Sequence, residues 1–212
     1  MIKFDYYVMR FRECLDALRD LLGGAYYGGV IKSRYGHLGA NATGSSFYFV
    51  LSQLFREYPL KESDVLVDVG CGKGRVIHWW LRNGCRNRII GIELDEEIAA
   101  RSRKTFAGNA HVEILSGNAL DLVPPAGTLF YLYNPFNREV VRAFKDRLNQ
   151  VCTNRLDLRI YYVNCEYLDA FKGDPEWEVR TNFDSALNDP EWRPEKLPFG
   201  LSYPVAIIKL RG

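Results

Sequence analysis

The chain has 212 residues, 47% hydrophobic and 14% aromatic, enough for one good core or one core with an appended piece and too few for three domains. Lys and Arg total 28 against 26 Asp and Glu, a net charge of +2 with no run of one sign, so charge lends no support to a nucleic-acid arm or an acidic tail. Five cysteines, Cys14, Cys71, Cys85, Cys152 and Cys165, are scattered with no CxxC pair, which argues against a disulfide framework or a metal site and for reduced thiols in a cytoplasm.

The N-terminal MIKFDYYVMRFRECLDALRD is charged throughout and does not read as a signal peptide, and no apolar run approaches membrane-spanning length. Phe4, Val8, Phe11, Leu15, Leu18 and Leu22 recur at steps of four, three, four, three and four. That is one stripe of a helix stopping at Gly23-Gly24, expected to cover the core or a twin subunit. Residues Ala25 to Gly44 have no period and five glycines, a loop that either connects or lines a cleft. Phe47, Val50, Leu51, Leu54 and Phe55 form a second helical stripe, with Ser45 or Ser46 available as N-cap and Pro59 closing it.

From Asp64 onward short β-branched runs alternate with helical patterns: strands Val65 to Val69, Arg88 to Glu93, Val112 to Leu115, Thr128 to Tyr133 and Leu158 to Val163, with helices after the first, second and fourth. This rhythm predicts a parallel sheet. Trp177 to Phe183 and Tyr203 to Leu210 follow with no clear helix between them, a hairpin that would add one antiparallel strand and hold a long loop, Asp184 to Ser202. The chain thus divides into a helical segment, 1–60, and a sheet domain, 61–212.

The sharpest feature is VDVGCGKGRV, Val67 to Val76, where glycines alternate directly after an apolar strand. A dinucleotide GxGxxG would need glycine at position 75, which is Arg75, and a Walker loop would need GxxxxGK followed by Ser or Thr, so both phosphate-binding readings fail. Alternating Gly70, Gly72 and Gly74 suit a ligand whose bulk lies against bare backbone. Glu93 ends the strand RIIGIEL, 25 positions after Asp68 (93 minus 68), and a carboxylate there can accept both hydroxyls of a ribose.

DVGCGKG resembles the first motif of the Rossmann-like (class I) S-adenosylmethionine (SAM) methyltransferases. With GANATGSSFYFVL, GIEL and YLYNPF added, the chain looks like a bacterial group of that family with undefined acceptors. The resemblance implies an α/β fold: a seven-stranded, mostly parallel sheet with the last strand antiparallel, preceded by an N-terminal helical cap. It implies SAM as cofactor, held by Asp68 and the turn of Gly70, Cys71, Gly72 and Gly74, by Glu93 and Leu94 at the ribose, by Asn118 and Ala119 of SGNAL at the adenine, and by Thr43 from the cap. Asn134, Pro135 and Phe136 are similar to the Asn-Pro-Pro-Tyr or Phe motif of amino methyltransferases, in which the Asn side chain and a proline carbonyl accept protons from the target nitrogen; the second proline is missing here. The cap would also bring Tyr35, His37 or Asn41 toward the acceptor, whereas His78 reads as packing.

The expected activity is methyl transfer to a small molecule or a protein side chain, with nitrogen as the analogous target. A SAM-binding sensor or partner subunit without turnover is one alternative. An RNA methyltransferase is another, with Arg142, Lys145, Arg147, Arg155 and Arg159 as its basic face. No membrane partner is expected, and the protein would be a monomer or a homodimer.

Overall fold

The computed structural model describes residues 2–152, 155–181 and 204–211, so the loop expected at 184–202 lies outside the described residues. Helices α1 (Ile2–Leu22) and α2 (Tyr48–Glu57) come first, joined by a segment with one 3₁₀ turn at Gly36–Leu38. Strands and helices then alternate through β1 (Val65–Val69), α3 (Arg75–Arg82), β2 (Arg88–Glu93), α4 (Glu96–Phe106), β3 (Val112–Ser116), α5 (Ala119–Leu122), β4 (Leu129–Tyr133), α6 (Arg138–Val151) and β5 (Arg159–Val163). β6 (Trp177–Thr181) and β7 (Val205–Leu210) form an antiparallel pair, as the lack of a helical pattern between them in the sequence predicts.

The seven strands lie in the order β3-β2-β1-β4-β5-β7-β6. The first five run parallel, and β7 is antiparallel to both its neighbours. This is the Rossmann-like sheet the sequence predicts. Its strands are apolar on both faces, as a covered parallel sheet requires. Leu66, Ile89, Leu129 and Tyr161 belong to the core shared with α2 and α3, while Val67, Ile90, Phe130 and Ile160 meet Val141, Phe144 and Leu148 of α6. The chain leaves β1 for β2 on one side and reaches β4 on the other. That reversal opens a crevice at the carboxyl ends of the strands, where open α/β sheets take their ligands.

Two local expectations need correction. Neither Ser45 nor Ser46 caps α2: its N-cap is Phe47, which makes no side-chain bond. Ser45 instead donates to the Tyr27 carbonyl, and Ser46 Oγ pairs at 2.7 Å with the hydroxyl of Tyr131 on β4, satisfying a buried polar group.

The second concerns α1, which lies with its polar face inward. Phe11, Leu15, Leu18 and Leu22 of the predicted stripe are exposed, whereas Asp16 and Asp20 are buried. The cause is Arg75, itself buried, whose Nε and Nη2 donate to Asp20 at 3.2 and 2.5 Å. Tyr48 Oη and the Tyr27 amide complete the shell of Asp20 at 2.6 and 3.1 Å, and the Tyr48 amide donates to Asp16 at 3.0 Å. A buried guanidinium stripped of its carboxylates would cost several kcal/mol, which holds the acidic face of α1 inward.

Candidate functional site

Strand ends supply the floor of the crevice. After β1 the chain turns through Gly70, Gly72 and Gly74, all with positive φ. Each has a neighbour where a side chain would stand: a Cβ would meet Pro135 Cβ at 3.0 Å from Gly70, Thr43 Cγ2 at 2.6 Å from Gly72, and the Phe106 ring at 2.4 Å from Gly74. The last of these is a packing requirement of α3 on α4, since Gly74 is the N-cap of α3.

Two carboxylates sit beneath this turn. Glu93 is buried at the end of β2, where its Oε2 accepts from the Gly72 amide at 2.8 Å and its Oε1 from the Asp95 amide at 2.9 Å. Burial raises its pKa against the pull of those amides. Asp68 is more extreme: its Oδ2 is buried with no partner among the described residues, and burial, then the nearby Glu93 charge, push its carboxyl up to about 8. An orphaned acceptor atom beside a bare glycine turn is a place prepared for a donor, and a cationic one above all. The Cys71 thiol is buried and driven well up by that burial and by both acids, so it is a packing group rather than a nucleophile.

A roof comes from the segment between α1 and α2. Ile31 and Thr43 exchange both backbone bonds at 2.9 Å, closing residues 31–43 into a flap. On one side the Asn41 amide donates to the Pro135 carbonyl at 2.9 Å, its Nδ2 donates to the carbonyls of Asn134 and Phe136 at 2.8 and 3.0 Å, and Asn137 N donates to Gly39 O at 2.8 Å. On the other side Arg34 forks onto Asp95, the N-cap of α4, at 3.0 and 2.9 Å. Burial alone would raise the Asp95 pKa, but Arg34 and the amides of Ile98 and Glu97 outweigh it and hold the carboxyl below its usual range.

Between floor and roof lies a cleft that opens to solvent at its mouth. Of the predicted site residues, Thr43, Gly70, Glu93, Leu94, Asn118, Ala119, Pro135 and Phe136 line it together, as do Tyr35 and Asn41. Asp68, Cys71, Gly72, Gly74 and Asn134 lie behind that lining, and His37 stands exposed on the flap. Asn118 also caps α5, accepting from Leu120 N at 3.0 Å. Asn134 has φ +42°, and its side-chain oxygen accepts from the Tyr162 hydroxyl at 3.0 Å. His78 is a packing residue, its Nδ1 3.2 Å from the Tyr27 hydroxyl.

Two contributors were not singled out from sequence for the site: Arg34 and Asp95. Only Asp95 had a local signal, an Asp directly before Glu-Glu at a strand-to-helix junction, which is an N-cap pattern. The basic face fares differently: Arg142 is bonded to Asp169, Lys145 to Asp174, Arg147 to the Leu120 carbonyl, and Arg159 is buried on Asp64.

Residues 66–153 match a family model described as a methyltransferase domain. A search of the curated proteins finds no match. Among solved structures, the chain is similar to an RNA methyltransferase from Salinibacter ruber in complex with S-adenosyl-L-homocysteine (TM-score 0.54, 18% identity, 78% of this chain and 92% of that one). It is similar to the methyltransferase domain of bacterial CtHen1-C (0.53, 10%, 77% and 96%). A third likeness, to the mitomycin 7-O-methyltransferase MmcR, has TM-score 0.53 and 14% identity over 70% of this chain but only 49% of that one.

Proposed function

We propose that this chain, whose residues 66–153 match a methyltransferase domain, is a SAM-dependent enzyme that methylates a small molecule, or a single extended protein side chain, admitted beneath the flap. The observation that supports this reading is the flap itself, bonded to the turn after β4 on one side and to the N-terminus of α4 on the other. A roofed cleft suits an acceptor that fits inside it, not a broad face of a folded macromolecule. In the same reading the orphaned Oδ2 of Asp68 receives the cofactor's ammonium, Glu93 its ribose, and Asn118 with Ala119 its adenine.

Bound SAM supplies an activated methyl group on a sulfonium sulfur, so the chain's own contribution is placement of the acceptor and exclusion of water. Pro135 on the lining and Asn134 just behind it are the proposed orienting groups, with Phe136 as a wall. Both oxygens already hold one donor, the Tyr162 hydroxyl and the Asn41 amide, and each keeps a second lone pair for a target amine.

The test is transfer of labelled methyl from SAM to a panel of small amines, hydroxy compounds and lysine- or glutamine-containing peptides, beside bulk RNA. Turnover on a small molecule or peptide, lost in Asn134→Ala with S-adenosylhomocysteine binding retained, supports the reading. Turnover on RNA alone overturns it. Cofactor binding with no acceptor in any class points to a sensor or partner subunit instead.

A further inference from the structure

We propose that α1 is a pairing helix, whose exposed apolar seam packs against the same seam of a second copy of this chain. The sequence period carries the first part of the argument. Steps of four and three from Phe4 to Leu22 are the a/d spacing of a coiled coil, a repeat of 3.5 that keeps apolar side chains aimed at a facing helix. A helix meant only to cover its own sheet needs a wider stripe and no such regularity.

The structure supplies the second part. Phe11 is 63% exposed, Leu15 38%, Leu18 54%, Leu21 62% and Leu22 74%. Asp16 and Asp20, roughly opposite on the wheel, lock the other face to Arg75 and Tyr48. The seam cannot roll inward without stripping a buried guanidinium of its carboxylates. Because the body already holds the helix, pairing orders little further backbone.

Area and charge select the occupant. The five side chains present about 500 Å² of apolar surface, large for a patch on a monomer, and a pair of them about 1,000 Å², where specific interfaces begin. The two arginines flanking the seam are turned back on their own protomer: Arg12 lies over the Phe49 ring at 4.2 Å, and Arg19 approaches Asp16 at 3.8 Å. Cys14 and Leu21 flank the other side, and Arg10 beyond them is paired with Glu13 at 2.5 Å. Arg10, Arg12 and Arg19 each have a partner within their own protomer, which leaves the apolar side chains to meet in the self-complementary manner of a two-fold interface. A lipid-seeking helix would instead direct its Arg side chains outward beside the apolar face.

Sedimentation equilibrium without cofactor or acceptor tests this independently of the catalytic reading. From about 1 to about 100 µM the wild type is expected at twice the 24.4 kDa chain mass. Leu18→Glu, and separately Leu15→Glu with Leu22→Glu, are expected at the monomer mass with S-adenosylhomocysteine binding retained. A wild type that stays monomeric through the whole range overturns the proposal, and so does a dimer that survives both variants. So does a monomer that floats with phosphatidylglycerol vesicles, which would assign the seam to a lipid surface.

Discussion

Gly72 and Thr43 meet where the roof touches the floor, and a single methyl group decides whether they fit. A Cβ at Gly72 would stand 2.6 Å from Thr43 Cγ2, at a φ of +54° that already disfavours a side chain. Gly72→Ala is expected to weaken S-adenosylhomocysteine binding at least tenfold by titration calorimetry, and Thr43→Ser, which deletes the offending methyl, to restore part of the loss. At Asp68 the expectation concerns protons. The folded carboxyl keeps its proton up to about 8 while the unfolded one releases it near 3.8, so between those values the native state binds more protons. Stability from this group therefore falls as pH rises from about 4 to about 8 and then levels. Asp68→Asn is expected to raise the thermal midpoint more at pH 8 than at pH 5. A ligand ammonium seated on Asp68 favours the ionised form, so binding near pH 7 is expected to release a proton, read from calorimetry in buffers of contrasting ionisation enthalpy and absent in Asp68→Asn.

Among the elements, α1 and the flap show what a linear reading reaches and what it does not. The glycine turn, the strand-end acids and the βαβ order were legible because the signals are local: neighbours in sequence and a period of two or 3.6. The flap was not, since its bonds join Asn41 to Asn134 and Phe136, some ninety residues on, and its conformation follows from no pattern of its own. The orientation of α1 misled for a different reason: periodicity names the apolar face, but one arginine, standing where a dinucleotide loop has glycine, drew the acidic face inward. Arg75→Met leaves Asp20 buried without its cation and is expected to cost about 3–5 kcal/mol, a fall of the order of 10 °C in midpoint by calorimetry. Asp20→Asn added to it is expected to recover part of that. Arg34→Ala, by contrast, removes an ion pair at an exposed side chain. Little change in midpoint is expected, with dissociation of S-adenosylhomocysteine several-fold faster in stopped-flow measurement.

At the scale of the molecule, sheet order sets where the crevice opens and the N-terminal segment roofs it. The carboxyl ends of β1, β2 and β4 converge on one crevice, and the chain before β1 returns over it between two anchored helices. That span is tethered at its own base, because the Ser45 hydroxyl holds the Tyr27 carbonyl, and Tyr27 and Phe47 are buried on either side. One stretch of chain thus covers both the glycine turn, through Thr43, and the turn after β4, through Asn41. The two compartments have no separate doors. Moving that stretch off either turn strains its hold on the other, so an ordered uptake is the expected outcome: in product-inhibition kinetics the ligand held against Gly70 and Glu93 is expected to enter first and leave last.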